Sequence, residues 1–263
     1  MKKHFVTAIA FLATTAAFAQ NKDSADNKKI VHTPAPAKTA AAAPAKKDWS
    51  KVVLGRHSSD HFMVQLGYDN WANAPDSMHS QGFSRSFNFY FMFDFPFKND
   101  PRLSVGAGLG IGSSNIFFHH IEPQIAAYTN ATLAFPSTDQ SNHFKKFKLV
   151  TTYLEIPLEL RFALDPEHSN SSWKFAVGGK AGILMSAYTK GKTLQNVANQ
   201  TIANFTEKES SKAFFSGSRL AATARISYGV FGVFGQFQLN SLLKSSAGPS
   251  VFPFSFGIML SGL

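Results

Sequence analysis

The chain has 263 residues, with 26 Lys and Arg against 16 Asp and Glu, yet charged residues make up only 16% of it, against about 25% in an ordinary soluble domain. It contains 27 Phe and no Cys, which excludes a disulfide-stapled fold and a lipidated Cys anchor; beyond the N-terminus no stretch approaches the ~20 consecutive apolar residues of a membrane-crossing helix. The net charge of +10 would suit nucleic acid only if basic residues interleaved with aromatics on one folded face; no such patch is visible, and no nucleic-acid partner is expected.

The N-terminus carries the pattern of an export leader. Lys2 and Lys3 precede an apolar stretch from Phe5 to Phe18, and Ala17-Phe18-Ala19 is a small-x-small cleavage site, so residues 1–19 are expected to be a signal peptide. Residues 20–51 are rich in Ala, Pro and Lys, with seven Lys against three Asp and almost no large apolar side chain. Such a segment cannot bury a core, and it is expected to be a disordered periplasmic linker.

From residue 52 to 263 the pattern changes to strand period. Eight runs alternate apolar with small or polar residues: Phe62–Tyr68, Phe87–Phe97, Leu103–Ile111, Leu154–Phe162, Trp173–Ala181, Leu220–Ile226, Phe231–Leu239 and Phe252–Leu260. Tight connections at Lys98–Pro101, Asp165–Glu167 and Gly229 alternate with longer ones at Ala72–Gly82, Phe118–Phe147, Lys190–Ser216 and Ser241–Ser250. Short turns at one end and long loops at the other are the habit of outer-membrane barrels, with the short end periplasmic. The expected fold is therefore all-β: an eight-stranded antiparallel transmembrane up-and-down β-barrel behind a signal peptide and a linker.

Alternation alone does not say which face is outside. An eight-stranded barrel has an interior just wide enough for side chains to fill, and the six alternating Phe of the second run, with the rows of seven other strands, would overfill it. The opposite parity carries Gly106, Gly108, Gly110 and Gly112 and the charges Glu155, Glu159 and Arg161. Facing lipid, an Arg would cost about 2–4 kcal/mol near the midplane. Facing inward, these charges can pair with Lys180 and Arg225, so a lumenal polar network of Glu155, Glu159, Arg161, Lys180 and Arg225 is expected rather than an aqueous pore. Trp71, Tyr90, Trp173, Tyr188 and Tyr228 fall near strand ends, where amphipathic rings favour the membrane interface, Tyr90 on the inward parity.

The run Tyr153-Leu154-Glu155-Ile156-Pro157-Leu158-Glu159-Leu160-Arg161-Phe162 resembles the strand signature Y-L-E-I-P-L-x-L-K/R-Y/F of the PorT-like outer-membrane β-barrel family of Bacteroidota. Gly178–Ser186 is similar to the glycine-rich strand that follows it there, and Pro253–Ile258 to the last strand. The resemblance spans residues 62–263 and implies an outer-membrane barrel of the cell envelope. The eponymous member assists a secretion system; that role is not carried over. One departure is the terminal Leu263, where many proteobacterial barrels end in an aromatic residue.

No motif makes a persuasive chemical site. His119-His120-Ile121-Glu122 looks metal-like, but adjacent residues on a strand point to opposite faces, and a metal needs convergent ligands; His119 with His143 is the remaining combination. Glu155 and Glu159 lie i, i+4 on a strand, about 13 Å apart, too far for a glycosidase pair. No G-x-S-x-G or phosphate-loop setting occurs. Neither enzyme activity nor cofactor nor metal is expected. The expected function is a non-enzymatic, monomeric envelope barrel with a structural or assembly role, contacting outer-membrane lipid and, as a class, other envelope or secretion-system proteins. The alternatives are a passive pore or ligand transporter, and a hydrolase built at the extracellular rim.

Overall fold

The computed structural model describes residues 61–78, 80, 82–127 and 131–262. The expected signal peptide and linker lie outside the described residues. Nine strands are present: β1 (Phe62–Ala72), β2 (Arg85–Pro96), β3 (Leu103–Phe118), β4 (His143–Ala163), β5 (Trp173–Gln195), β6 (Thr201–Ser210), β7 (Ser218–Tyr228), β8 (Phe231–Gln238) and β9 (Phe252–Ser261). Eight of them close a ring by antiparallel pairing in the order β1-β2-β3-β4-β5-β7-β8-β9, with β9 returning to β1. Closure leaves no unpaired edge within the ring, the condition for a sheet in lipid.

The ninth strand corrects the expected count. β6 pairs only with the far end of β5, Tyr188–Gln195, inside the stretch Lys190–Ser216 expected to be loop. The expected loop Phe118–Phe147 shrinks too, because β3 continues to Phe118 and β4 begins at His143. β4 and β5 are 21 and 23 residues long, twice the 9–11 residues that cross a bilayer. Their upper halves, with β6, form a fin beyond the ring.

Connections at the opposite end, residues 97–102, 164–172 and 229–230, have at most nine residues, whereas on the fin's side residues 73–84, 119–142 and 239–251 have twelve or more, and β5 reaches β7 by way of β6 and residues 211–217. The fin therefore stands at the end where the longer connections gather, the end that outer-membrane barrels as a class turn outward.

Side chains follow the pleat. On β2, Phe87, Phe89, Phe93 and Phe95 are exposed on the outside, while Ser86, Asn88, Tyr90 and Met92 are buried inside. Ile156, Leu158, Ile258 and Phe231 continue the outer belt around the ring, an apolar surface far beyond the few hundred Å² that a soluble monomer tolerates. One irregularity matters for the fin: the register slips by one residue between Thr152 and Tyr153, whose β5 partners are Ser186 and Leu184. Met185 is the extra residue of this bulge, and past it the outward set on β5 becomes Tyr188, Lys190 and Lys192.

Candidate functional site

Two charged groups occupy the lumen, and β4 supplies the acid of each. Glu155 is fully buried. Lys180 Nζ donates to its Oε2 at 2.8 Å, Arg219 Nη1 to Oε1 at 3.0 Å and the Tyr90 hydroxyl to Oε2 at 2.5 Å. Lys180 Nζ also donates to the Tyr90 hydroxyl at 2.9 Å, and the Arg219 guanidinium lies 5.3 Å from the Tyr153 ring centre. Four residues on, Glu159 accepts from Arg225 at 2.9–3.0 Å and from Arg161 Nε at 3.2 Å. Arg161 reaches across to Asp94 at 3.4 Å, and Ser104 donates to the same Asp94 oxygen at 2.7 Å.

All five residues expected in the lumen are thus inside and ion-paired, in two clusters. Arg219, Asp94 and Tyr90 complete them. Arg219 has the inward parity of its own strand, and that was its signal; Tyr90 is no interface ring but a buried donor. With Asp69, whose carboxylate accepts from the Ser114 hydroxyl, the four acids Asp69, Asp94, Glu155 and Glu159 balance the four bases Arg161, Lys180, Arg219 and Arg225. Balance is what burial demands, because an unpaired buried charge costs several kcal/mol.

The glycines of β3 make room for these groups. A Cβ on Gly106 would lie 2.4 Å from Arg161 Nε, and one on Gly112 would lie 2.7 Å from Glu155 Oε2. Two cavities among the described lumenal side chains hold about 10 Å³ each, about enough for a single water.

Above the charges the lumen is sealed by an apolar cap. Trp71, Ile116, Phe118, Leu149, Phe214, Phe215, Leu242, Leu243 and Val251 form one buried cluster, to which every long connection contributes. Backbone bonds tie the loops together: Leu133 N–H donates to Ala247 C=O at 2.8 Å and Ser216 N–H to Leu242 C=O at 2.8 Å. Trp71, expected at the lipid interface, is instead part of this cap. Trp173 and Tyr228 do lie outside at the short-turn end, directly paired with rings 5.4 Å apart.

The rim holds the remaining chemistry. Ser137 donates to Asp139 Oδ2 at 2.7 Å, and His120 Nδ1 lies 3.3 Å from Oδ1, at the edge of a cavity of about 500 Å³. The carboxylate stands between hydroxyl and imidazole, so no base touches the serine, and the nucleophile–base–acid order of a hydrolase is absent from this trio. Burial, with the neighbouring His119 and His143 rings, pushes His120 below its ordinary value. His143, considered as a partner for His119, lies with its ring centre 4.4 Å from that of His120, tilted by 38°, and places Nε2 3.2 Å from Asn199 Oδ1. Among the described residues the one convergent trio of metal-ligating side chains is Asp165, Glu167 and His168, in an exposed turn where Asp165 already accepts from the Glu167 and His168 N–H groups.

A closed antiparallel ring, apolar outside and charge-balanced inside, defines the class of transmembrane β-barrels. The chain belongs to the outer membrane protein beta-barrel domain family, whose model matches residues 58–244, and it is an outer-membrane protein. No curated protein matches it. Among solved structures it is similar to Ail, the attachment invasion locus protein of Yersinia pestis. In complex with the heparin analogue sucrose octasulfate, that protein shares 11% identity over 76% of this chain and 95% of its own, with a TM-score of 0.34. A second Ail structure gives 13% identity over the same shares and a TM-score of 0.33.

Proposed function

We propose that this protein is a non-enzymatic, non-conducting barrel with a structural or assembly role in the envelope. The observation that carries this reading is the filled lumen: balanced ion pairs leave cavities of about 10 Å³, and the apolar cap covers them. A hydrated ion needs a continuous path several water diameters wide, and cavities of about 10 Å³ among the described residues are too small to supply one. Within the family, the Tyr153–Phe162 motif favours the PorT-like branch, and residues 20–51 would then lie in the periplasm as a tether. What remains for partners is the fin and the cap.

Planar-bilayer recording of the refolded full chain tests this reading. Flat traces at ±100 mV are expected. Reproducible discrete conductance steps would establish the pore reading instead. Incubation with fluorophosphonate and ester substrates is expected to leave the serines unlabelled; stoichiometric labelling of Ser137 would restore the hydrolase.

A further inference from the structure

Past the apolar belt, the outer surface of the sheet changes chemistry within a few residues. On β4 and β5 the outward rows that carry Leu154, Ile156, Ile183 and Met185 continue as Lys148, Lys146, Lys190 and Lys192, and β6 adds Lys208. The height of this change is set by the strand itself. Phe175 to Met185 is ten steps of β5, about 33 Å along the strand, or about 25 Å of height at a tilt of about 40°, which matches the apolar band of an outer-membrane barrel. Lys190 lies about 10 Å above that band, at headgroup level, with a side chain long enough to reach back toward it.

The register of these lysines is unusual. Lys148 pairs directly with Lys190, and Lys190 with Lys208; Lys146 pairs with Lys192. Directly opposed side chains have Cβ atoms about 4.5–5.5 Å apart, and like charges there are destabilising. None of the five makes an ion pair among the described residues. Acids were available on the same strands but occupy the other face: Glu207 and Glu209 register with Gly191 and Thr189 and line an inward cavity with Glu122. Aromatic rings hold the cations in place instead. Lys208 Nζ lies 4.3 Å from the Tyr188 ring centre, Lys148 Nζ lies 5.7 Å and Arg85 5.5 Å from that of Phe117. Lys148 also donates to Asn115 Oδ1 at 2.7 Å, which leaves two of its three N–H donors for another acceptor.

We infer that this face binds the phosphate groups of outer-leaflet lipid. A row of ammonium groups opposed across three strands fits anions of fixed spacing that sit between them. Continuity with Ile156, Ile183 and Met185 selects a lipid over a soluble polyanion, because the same molecule lays its acyl chains on the belt below and its phosphates on the lysines above.

The test places the full chain in nanodiscs of phosphatidylcholine, with or without diphosphorylated lipid A, and reads the midpoint of barrel unfolding from heat-modified gel mobility. Lipid A is expected to raise the midpoint by roughly 5 °C or more. K148Q/K190Q/K208Q is expected to lose that rise while matching the parent in phosphatidylcholine; the triple Lys→Arg variant and E207Q/E209Q are expected to keep it. Should the triple Gln variant fail to refold, K190Q alone and 0.5 M salt must each diminish the rise of the parent. A full rise in the Gln variants, or with lipid A stripped of its phosphates, overturns the inference. So does inorganic polyphosphate producing the same rise in detergent, which would make the surface a receptor for soluble polyanions.

Discussion

Strands β4 and β5 each carry two charged regions, and the regions differ in what each charge faces. Within the ring, Glu155 and Glu159 meet Lys180, Arg219, Arg161 and Arg225 at 2.8–3.2 Å. Higher on the same strands, lysine opposes lysine. Solvent access separates the two. A buried ion has no water to screen it and must find its opposite within hydrogen-bond reach, whereas an exposed pair of like charges costs only about the few tenths of a kcal/mol that surface pairs are worth. The lumen is thus bound to neutrality by folding, and the fin is free to keep its charge for something outside the chain.

The largest effects should come from breaking the lumen's balance. Glu155→Ala strands Lys180 and Arg219 and is expected to cost about 3–5 kcal/mol, seen as a fall in the heat-unfolding midpoint in detergent. Phe215→Ala, in the cap, is expected to cost a similar 3–5 kcal/mol of local packing, but to loosen the loops rather than the ring: limited proteolysis should cut within 211–217 or 239–251 while the strands stay resistant. Gly112→Ala pushes a methyl toward the Glu155 carboxylate, and overpacking of this kind costs about 1–3 kcal/mol. On the fin, Lys190→Gln in phosphatidylcholine should change stability by less than about 0.5 kcal/mol. A destabilisation as large as that of Glu155→Ala would erase the distinction between the regions.

The smallest effect is a pH dependence in the short turn between β2 and β3. The Arg102 guanidinium hydrogen-bonded to Asp100 holds that carboxyl below its ordinary value. A carboxyl lowered in the folded state contributes fully above the unfolded value of about 4 and loses its contribution as pH falls through the folded one. Asp100→Asn should therefore differ from the parent at pH 7, with the difference closing as the solution is acidified through the folded value.

How far the sequence could be read follows from what each residue faces. Where one side of a strand meets lipid and the other the lumen, as on β2 and the lower half of β4, alternation is strict and both strand and facing are legible. β6 is exposed on both sides apart from Ala203 and Glu209, so no apolar period marks Thr201–Ser210, and it reads as loop. The cap is hidden for a related reason. Phe214-Phe215 and Leu242-Leu243 come from connections with no repeating geometry, and only the fold brings them over the barrel mouth. Among the lumenal groups, Tyr90 shows two signals in competition: aromatic character near a strand end suggested the interface, whereas parity pointed inward to Glu155. Parity is the stronger signal because the pleat enforces it.

Single-cysteine spin labelling tests the sidedness of the barrel most directly, and the absence of native Cys makes each label unique. Nitroxides at Ile156→Cys and Ile258→Cys in nanodiscs should relax with dissolved oxygen and not with a water-soluble nickel chelate, while one at lumenal Thr223→Cys should be shielded from both. Nickel access at position 223 would reveal a water-filled channel, and shielding at 156 and 258 from oxygen would mean that the apolar belt does not face lipid.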